Sequence, residues 1–182
     1  MTEPVMEGEK TRLRPMTLDE VDLVLGWLRD PEVREFWGGR DLMRSKEEFL
    51  ADWKPYYFDG SEPERGRCFA IEADGRPIGM IAYNAIDRRH RSVEIDVTIG
   101  EKAYWNRGYG TDAIRTFLGY LFEVVGMHRV WLGTYASNAR AIRCYEKCGF
   151  VREGVLRESD WVDGQWVDAV LMSVLEQEFR RE

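Results

Sequence analysis

Apolar and polar residues alternate along positions 93–99, where four branched aliphatic side chains are separated by two carboxylates and a threonine. This period of two predicts a β-strand with one apolar face. From Ile114 to Val125 apolar residues recur every three or four positions, which predicts an amphipathic helix with a broad buried stripe. Between the two patterns lies the segment Trp105-Asn106-Arg107-Gly108-Tyr109-Gly110-Thr111, at a junction of strand, loop and helix.

The loop has the residues of an anion-binding site. Gly108 and Gly110 let the backbone approach an anion closely, and the helix that follows presents free amides and the positive end of its dipole. Arg107 adds a cation, although a Gly-x-Gly pair is also typical of ordinary turns. The segment lacks the Gly-Lys-Ser/Thr of a nucleoside-triphosphate loop and the glycine spacing of a dinucleotide-binding turn, so we expect a different ligand that carries a pyrophosphate.

The remaining patterns predict a sheet with helices inserted before strand two, after strand four and after strand five. Capping boxes at 17–20 and 45–48 start two helices in the first sixty residues, and Pro55 should end or kink the second. Strands are expected near 11–14, 68–71, 77–86, 129–135, 151–156 and 166–175, and a further helix at 139–147. The sum of about seven strands and four helices predicts an α/β (α+β) fold, in which helices cover both faces of a mixed twisted sheet.

Composition limits the organisation and the class of partner. A chain of 182 residues with 44% hydrophobic content suits one domain, 1–182, with a single sizeable core. The net charge of -7 argues against a nucleic-acid partner and favours a cationic small molecule. The sequence has neither a membrane span nor a signal peptide, so we expect a cytoplasmic protein without a membrane partner.

The cysteines and histidines do not form a recognisable metal site. Cys144 and Cys148 lie four positions apart on the helix expected at 139–147, while His90 and His128 are isolated. We therefore expect no metal and interpret the two cysteines as small buried hydrophobes. The odd number of three cysteines fits a reducing compartment.

Two features carry candidate chemistry, and each has a structural alternative. Glu94, Asp96 and Thr98 share one face of a strand that should be apolar on both faces if it is central in a covered sheet. Either the helical layer is incomplete there, or the carboxylates line a cleft that leads to the loop. In the second case a carboxylate could accept a proton from an amine, directly or through water.

The second feature is the helix that begins at Asn138. Asn138 is a good helix N-cap, and Tyr145 lies two turns further along the same face. The segment can be interpreted as a capped amphipathic helix with Tyr145 in the core. Combined with the loop and the polar strand face, it also predicts a phenol that donates a proton to a leaving group in the same cleft.

The order of these elements resembles the GNAT superfamily of acetyl-coenzyme A dependent N-acetyltransferases over nearly the whole chain. The resemblance lies in the strand, the Trp-Asn-Arg-Gly-Tyr-Gly-Thr loop, the helix, the next strand and the pattern Asn-x-x-Ala-x-x-x-Tyr-x-x-x-Gly-Phe. In that family the loop holds the coenzyme A pyrophosphate, the preceding strand pairs with pantetheine, and the later helix contacts the thioester end. The resemblance implies acetyl-coenzyme A as cosubstrate, bound by Val97, Thr98, Ile99, Trp105, Asn106, Arg107, Gly108, Tyr109, Gly110, Thr111, Asn138, Ala141 and Tyr145.

One position departs from the family pattern, which usually has Gln or Arg where this chain has Trp105. The loop is similar to the branch that includes ribosomal-protein N-terminal acetyltransferases and spermidine acetyltransferases, where Arg107 would carry the cation. Residues 152–157 and 161–164 are similar to that branch too. In contrast, Trp27-Leu28, Glu32-Val33, Trp37-Gly38-Gly39 and the helix from Asn138 to Gly149 resemble aminoglycoside 6'-N-acetyltransferases.

The resemblance implies direct attack of a primary amine on the thioester, without an acyl-enzyme. We expect Glu94 as the base with Asp96 assisting, although the sequence does not distinguish them, and Tyr145 as the acid, since a phenol pKa of about 10 lies above the thiol value of about 8.5. Trp37, Glu94 and Asp96 should bind the amine, which is a protein N-terminus, a polyamine or an aminoglycoside. We also expect a homodimer. The alternative is a non-catalytic acetyl-coenzyme A sensor or partner-binding module on the same fold.

Overall fold

The computed structural model describes residues 4–37 and 45–179. Its strands are β1 (Met6–Glu7), β2 (Arg12–Pro15), β3 (Gly66–Ala73), β4 (Arg76–Asp87), β5 (Ser92–Ile99), β6 (Arg129–Tyr135), β7 (Val151–Val162) and β8 (Gln165–Leu175). Its α-helices are α1 (Val21–Arg29), α2 (Pro31–Arg34), α3 (Lys46–Trp53), α4 (Tyr109–Gly119) and α5 (Ala139–Lys147). All eight strands belong to one sheet, in the order β1-β2-β3-β4-β5-β6-β8-β7.

The sheet opens in its middle. β5 and β6 form the parallel pair, and their register covers only Ser92 with Arg129, Val93 with Val130 and Glu94 with Trp131. Beyond these residues the two strands separate, while β5 stays paired with β4 up to Ile99 and β6 stays paired with β8 up to Tyr135. The backbone edge of β5 after Glu94 therefore faces a gap rather than a neighbouring strand.

Two hydrophobic clusters cover the two faces of the sheet, which confirms the expected mixed sheet with helices on both sides. On one face α4 and α5 bury side chains that include Ile114, Phe117, Ile142 and Tyr145 against Val93 and Ile95. On the other face α1, α2 and α3 bury side chains that include Val24, Leu28, Val33 and Phe49 against Cys68, Ala70, Met80 and Ala82. The apolar face of β5 thus packs under α4, and its polar face lies on the side of α1, α2 and α3.

Local signals in the sequence place most of the helix ends. The capping boxes at Thr17 and Ser45 are both formed, and α5 has the predicted bounds. Asp30 starts α2, because its side chain accepts a hydrogen bond from the Glu32 amide 3.0 Å away. Gly38 and Gly39, which belong to a segment that resembles aminoglycoside 6'-N-acetyltransferases, lie outside the described residues.

The structure corrects the sequence prediction in two places. The sheet has eight strands rather than about seven, because the two-residue β1 is too short to show a period but pairs with β2. β7 continues to Val162 instead of ending near 156, since two register shifts interrupt its alternation without ending its pairing with β8. The expectation that Pro55 ends or kinks its helix agrees with the structure, since α3 ends at Trp53 and the chain changes to a π turn, Lys54–Phe58. In the described part of the chain no helix is long and apolar enough to cross a membrane.

Candidate functional site

A cleft of about 360 Å³ begins where β5 and β6 separate. β5 and the following loop form one wall, and α5 with the end of β6 forms the other. The residues predicted to bind substrates that line it are Trp37, Asp96, Val97, Thr98, Ile99, Trp105, Asn106, Gly108, Gly110, Thr111, Asn138, Ala141 and Tyr145. The structure therefore brings together two distant segments that the sequence links only by resemblance.

The glycine loop has a backbone shape that its sequence requires. Gly108 is the N-cap of α4 with a left-handed φ of 87°, a region that glycine adopts without strain. A β-carbon on Gly110 would extend toward Ile99 and Cys144, at 3.7 Å from an atom of each, so a side chain there would occupy this wall of the cleft. The amides of the first turn of α4 have no partner inside the helix, and the positive end of the helix dipole lies with them.

Two of the predicted loop residues do not line the cleft. The ring of Tyr109 packs edge-on against Tyr104, with 4.9 Å between centroids. Arg107 is exposed and donates a hydrogen bond from Nη1 to the carbonyl of Ala103, 3.2 Å away. Lys10, which the sequence patterns do not single out, donates from Nζ to the carbonyl of Arg107 at 3.1 Å and so adds a cation beside the loop.

Trp105 replaces the expected polar residue and has two contacts of its own. Its Nε1 donates a hydrogen bond to the carbonyl of Ile99 over 2.7 Å, which ties the loop to the end of β5. The guanidinium of Arg140 lies 3.7 Å from the centre of the indole ring, a cation–π contact between the two walls. Sequence reasoning misses Arg140, because nothing in the pattern of α5 distinguishes it from other exposed cations.

Asn138 and Tyr145 lie seven positions apart on the α5 wall, and each has its own contacts. Asn138 Oδ1 accepts a hydrogen bond from the Ala141 amide at 3.2 Å, and its Nδ2 donates to Thr134 Oγ1 at 3.1 Å. Tyr145 is 7% exposed and packs against Phe150, with 5.9 Å between ring centroids. Within the described residues its hydroxyl has no hydrogen-bond partner, and burial raises its pKa above the ordinary value.

The polar face of β5 opens onto two spaces. Asp96 lines both the cleft and a side groove of about 580 Å³, whose wall is formed by Trp53, Glu64, Arg65, Asn84, Ala85, Ile86, Glu94 and Asp96. Glu94 lines the side groove. Thr98 is 8% exposed, and Trp37 Nε1 donates a hydrogen bond to its hydroxyl. Asp96 therefore lies at the junction of cleft and groove, and Glu94 lies beside it.

The two carboxylates differ in their surroundings. Asp96 accepts hydrogen bonds from the Tyr57 hydroxyl, at 3.1 Å, and from the side-chain amide of Asn84. Its pKa is raised by burial, which those two hydrogen bonds oppose. The Glu94 carboxylate has no hydrogen-bond partner among the described residues, and burial together with the charge of Asp96 raises its pKa to about 7. A carboxylate that titrates near neutrality can both accept and release a proton at physiological pH.

The cysteines only partly match the expectation of small buried hydrophobes. Cys68 and Cys148 are buried, but the prediction is wrong for Cys144, which is half-buried and lines the cleft. The reason is its position on α5, one residue before Tyr145 and on the side that faces the glycine loop. Its Sγ lies 3.3 Å from Thr111 Oγ1.

The cleft fits acetyl-coenzyme A. The left-handed Gly108 and the absence of a side chain at Gly110 leave the backbone of the loop free to approach a pyrophosphate, while Arg140, Arg143 and Lys147 line the cleft with positive charge. The edge of β5 that separates from β6 is free to pair with an extended amide-containing chain such as pantetheine. The buried phenol of Tyr145 lies on the wall opposite Asp96.

Three comparisons with known proteins agree with this geometry. Residues 10–151 match the model of the acetyltransferase (GNAT) domain family. The spermidine N(1)-acetyltransferase of Escherichia coli K12 is 25% identical over 175 residues, which cover 96% of this chain and 91% of that protein. The crystal structure of a spermidine N-acetyltransferase from Vibrio cholerae, in complex with CoA and spermine, aligns with a TM-score of 0.82 over 93% of this chain and 97% of that one, at 23% identity. A GNAT-family acetyltransferase from Bacillus anthracis aligns with a TM-score of 0.78 over 96% and 100%, at 20% identity.

Proposed function

The chain belongs to the GNAT family of acetyltransferases, and from this premise we propose that its acceptor is a polyamine of the spermidine type. As a member of that family it is an enzyme that uses acetyl-coenzyme A as acetyl donor. Acetyl-coenzyme A supplies the thioester carbonyl that the amine attacks. The family match does not favour the alternative of a non-catalytic sensor or partner-binding module.

The observation that carries the polyamine proposal is the side groove, which meets the cleft at Asp96. Three carboxylates, from Glu64, Glu94 and Asp96, line it together with the indole of Trp53. Its one cation among the described lining residues, Arg65, forms an ion pair with Glu62 at 2.6 Å. Several ammonium groups on an extended chain suit such a wall better than a neutral or acidic peptide does, and the net charge of -7 attracts a polycation.

Glu94 is proposed as the base, with Asp96 assisting. A protonated amine must lose a proton before it can attack, and the Glu94 carboxylate, with a pKa of about 7, can accept that proton directly or through water. Asp96 is held by Tyr57 and Asn84, so its carboxylate has a fixed direction at the junction. Trp37, whose Nε1 donates a hydrogen bond to the Thr98 hydroxyl, is proposed to bind the amine at the same junction, on the side of α2.

Tyr145 is proposed to hold the proton that the leaving thiolate needs. Burial keeps its hydroxyl protonated well above neutral pH, and this oxygen lies free of hydrogen bonds from the described residues. The residues proposed to hold acetyl-coenzyme A are those of the cleft walls, with Asn138 and Ala141 near the thioester end of that molecule. Positioning the two reactants supplies the larger part of the rate, since one proton transfer contributes roughly a hundred- to ten-thousand-fold.

A panel of amines tests the proposal. The purified protein is incubated with acetyl-coenzyme A and spermidine, a kanamycin-type aminoglycoside or a short peptide with a free N-terminus, and both free thiol and acetylated amine are measured. We expect the highest kcat/KM for spermidine. A higher value for the aminoglycoside or the peptide would overturn the acceptor assignment, and thiol release without any acetylated amine would overturn amine transfer itself.

Three further expectations stay proposals. The chain is proposed to form one domain over 1–182, to act in the cytoplasm and to form a homodimer.

Two exposed tryptophans on the β7–β8 hairpin are the candidate contact of that dimer. Trp161 and Trp166 are 53% and 57% exposed, and their rings lie 5.1 Å apart. Light scattering on the wild type and a Trp161→Ser, Trp166→Ser variant checks whether the protein is a dimer and whether this hairpin contributes to it.

A further inference from the structure

Cys144 differs from the other two cysteines of the chain in its access to solvent. It lines the cleft, whereas Cys68 is fully buried under α1 and Cys148 is 6% exposed. Cys144 lies against the glycine loop rather than at the thioester end that we assign to Asn138, Ala141 and Tyr145. It is therefore not placed to take the acetyl group, and its half-buried thiol has no function in the mechanism proposed above.

A cluster of two thiols and one threonine surrounds the start of α4. The Sγ of Cys144 lies 3.3 Å from the hydroxyl of Thr111, and the Sγ of Cys148 lies 3.6 Å from the carbonyl of the same residue. The Cys144 sulfur is also 3.7 Å from the position that a β-carbon on Gly110 would take. Any group added to this sulfur must therefore extend into the part of the cleft where the loop is proposed to hold a pyrophosphate.

The same cluster favours the thiolate of Cys144. The neighbouring Cys148 thiol is the largest cause that lowers the pKa of Cys144, with smaller contributions from Thr111 and from the charge of Lys147. The first turn of α4 also presents its positive dipole end there. The positive charge of Arg115, on the facing helix α4, partly opposes the rise in the pKa of Cys148. In contrast, burial raises the pKa of Cys68, which makes that thiol a matched inert control.

We propose that Cys144 is a site of reversible modification by low-molecular-weight disulfides, and that the resulting mixed disulfide blocks acetyl-coenzyme A from the glycine loop. The Cys144 thiolate attacks one sulfur of the disulfide, the sulfur–sulfur bond breaks, and a bond from Cys144 Sγ to that sulfur forms. The second sulfur leaves as a thiolate and takes up a proton from water. Cys144 is oxidised and the departing half of the disulfide is reduced, so no other oxidant is needed, and excess thiol reverses the reaction.

Glutathione disulfide is the probe for the first test. Wild type, Cys144→Ser, Cys148→Ser and Cys68→Ser are incubated with it, and adducts are counted by intact-protein mass spectrometry and located by peptide mapping. We expect one adduct, on Cys144, in every protein except Cys144→Ser. An adduct that forms first on Cys68 or Cys148, or the same adduct level in Cys144→Ser, would overturn the assignment.

The blocking effect rests on the proposed role of the loop, so it needs a separate measurement. Coenzyme A binding is measured by calorimetry before and after modification, and the modification rate is measured with and without saturating coenzyme A. We expect loss of binding after modification and slower modification in the presence of coenzyme A. If unmodified protein binds coenzyme A but neither effect is seen, the blocking proposal fails. Absence of binding in unmodified protein would instead contradict the proposed function.

Cys148 is a positioning residue in this proposal, and its role has its own readout. The rate of reaction of Cys144 with an aromatic disulfide is followed from pH 5 to pH 10 in wild type, Cys148→Ala and Cys148→Ser. Loss of the donor should move the rate profile of Cys148→Ala to higher pH, and the hydroxyl of serine should restore part of the shift. Superimposable profiles for wild type and Cys148→Ala would show that Cys148 does not support the Cys144 thiolate.

Discussion

The two sides of the site are held together by different parts of the chain. On the loop side the shape is set by local backbone, with Gly108 at a left-handed φ of 87° and Asn138 capping α5 through the Ala141 amide. On the amine side the shape is set by side chains from separate elements, since Asp96 accepts hydrogen bonds from Tyr57 of the π turn and from Asn84 of β4.

This difference predicts which changes each side tolerates. The loop side depends on a backbone conformation, so we expect it to respond to substitutions that forbid that conformation and to tolerate changes of exposed side chains. The amine side depends on single polar atoms, so replacement of one oxygen or nitrogen should change activity there without unfolding the protein, by an amount that depends on the function of that atom. The predictions that follow test each side in order of expected size.

Glu94→Gln should have the largest effect. The amide cannot accept a proton, so kcat/KM should fall by roughly a hundred- to ten-thousand-fold. In wild type kcat/KM should rise with pH through about 7, because the base acts only when ionised and its pKa is raised to about 7. This rise is the acidic limb of the pH profile, and it should be absent from the variant. Stopped assays of spermidine acetylation from pH 5 to pH 9 measure both effects.

Glu64→Gln is the matched control, since it removes a charge from the same groove without removing the proposed base. It should raise KM for spermidine, keep the acidic limb and lose most of its difference from wild type at high salt. An unchanged kcat/KM and pH profile in a Glu94→Gln, Asp96→Asn double variant would contradict the interpretation of this strand face as part of the active site.

Tyr145→Phe should have the next largest effect. The substitution keeps the ring against Phe150 and removes only the hydroxyl, so turnover should fall by about a hundredfold while coenzyme A affinity and Tm stay close to wild type. Pre-steady-state thiol release separates the chemical step from binding. Unchanged turnover would mean that water protonates the leaving thiolate and that Tyr145 is a core residue only.

How far the sequence predicts these two sides follows from the same difference. The glycine loop and the α5 motif are contiguous, so glycine conformation, the N-cap rule and helical spacing are sufficient to locate Gly108, Asn138 and Tyr145 from the order of residues alone. The alternation of β5 likewise locates Glu94 and Asp96 on one face. Each of these is a local pattern, which needs no knowledge of how distant segments pack.

The contacts that complete the amine side are not local in this sense. Tyr57 and Asp96 are 39 positions apart, and Trp37 and Thr98 are 61 positions apart, so only the tertiary packing brings them together. Arg140 escapes prediction for a similar reason, since its contact with Trp105 exists only because α5 and the loop face each other across the gap between β5 and β6. The prediction for Cys144 is wrong because helical spacing alone does not show where a cleft opens.

Gly108→Val tests the loop side. A β-branched residue at φ 87° is strained, and its β-carbon would lie 3.3 Å from Lys10 Nζ, so the loop should change its backbone path. At a cost of about 1–2 kcal/mol for the left-handed conformation, coenzyme A affinity should fall by about five- to thirtyfold in calorimetry. Gly164→Val is the control, because Gly164 has φ 86° with no atom within 4 Å of its β-carbon position, in the distant β7–β8 turn. Equal loss of affinity in both variants would contradict a local role for Gly108.

Trp37→Phe should have a smaller effect on the amine side. It removes the Nε1 donor that the Thr98 hydroxyl accepts from, while it keeps an aromatic ring at the junction. Loss of one such hydrogen bond costs about 1 kcal/mol, which corresponds to roughly a fivefold increase in KM for spermidine with little change in coenzyme A affinity. Thr98→Val, which removes the acceptor, is the matched variant. The two single variants and the double variant should all show the same increase in KM. If the increases differ, the hydrogen bond is not what positions the amine.

Asp96→Asn should have the smallest effect, a displacement of the acidic limb of kcat/KM. The charge of Asp96 is the second cause that raises the pKa of Glu94, after burial, so its removal should move the limb to lower pH. The limb should still lie above the ordinary glutamate pKa of about 4.3, because burial of Glu94 is unchanged. Tyr57→Phe provides a second test, since it removes a hydrogen bond that lowers the pKa of Asp96 and so leaves Asp96 less ionised at a given pH. Both variants should shift the limb in the same direction, Asp96→Asn by more. A limb that stays at its wild-type pH in Asp96→Asn would show that burial alone sets the pKa of Glu94, and that the two carboxylates act independently.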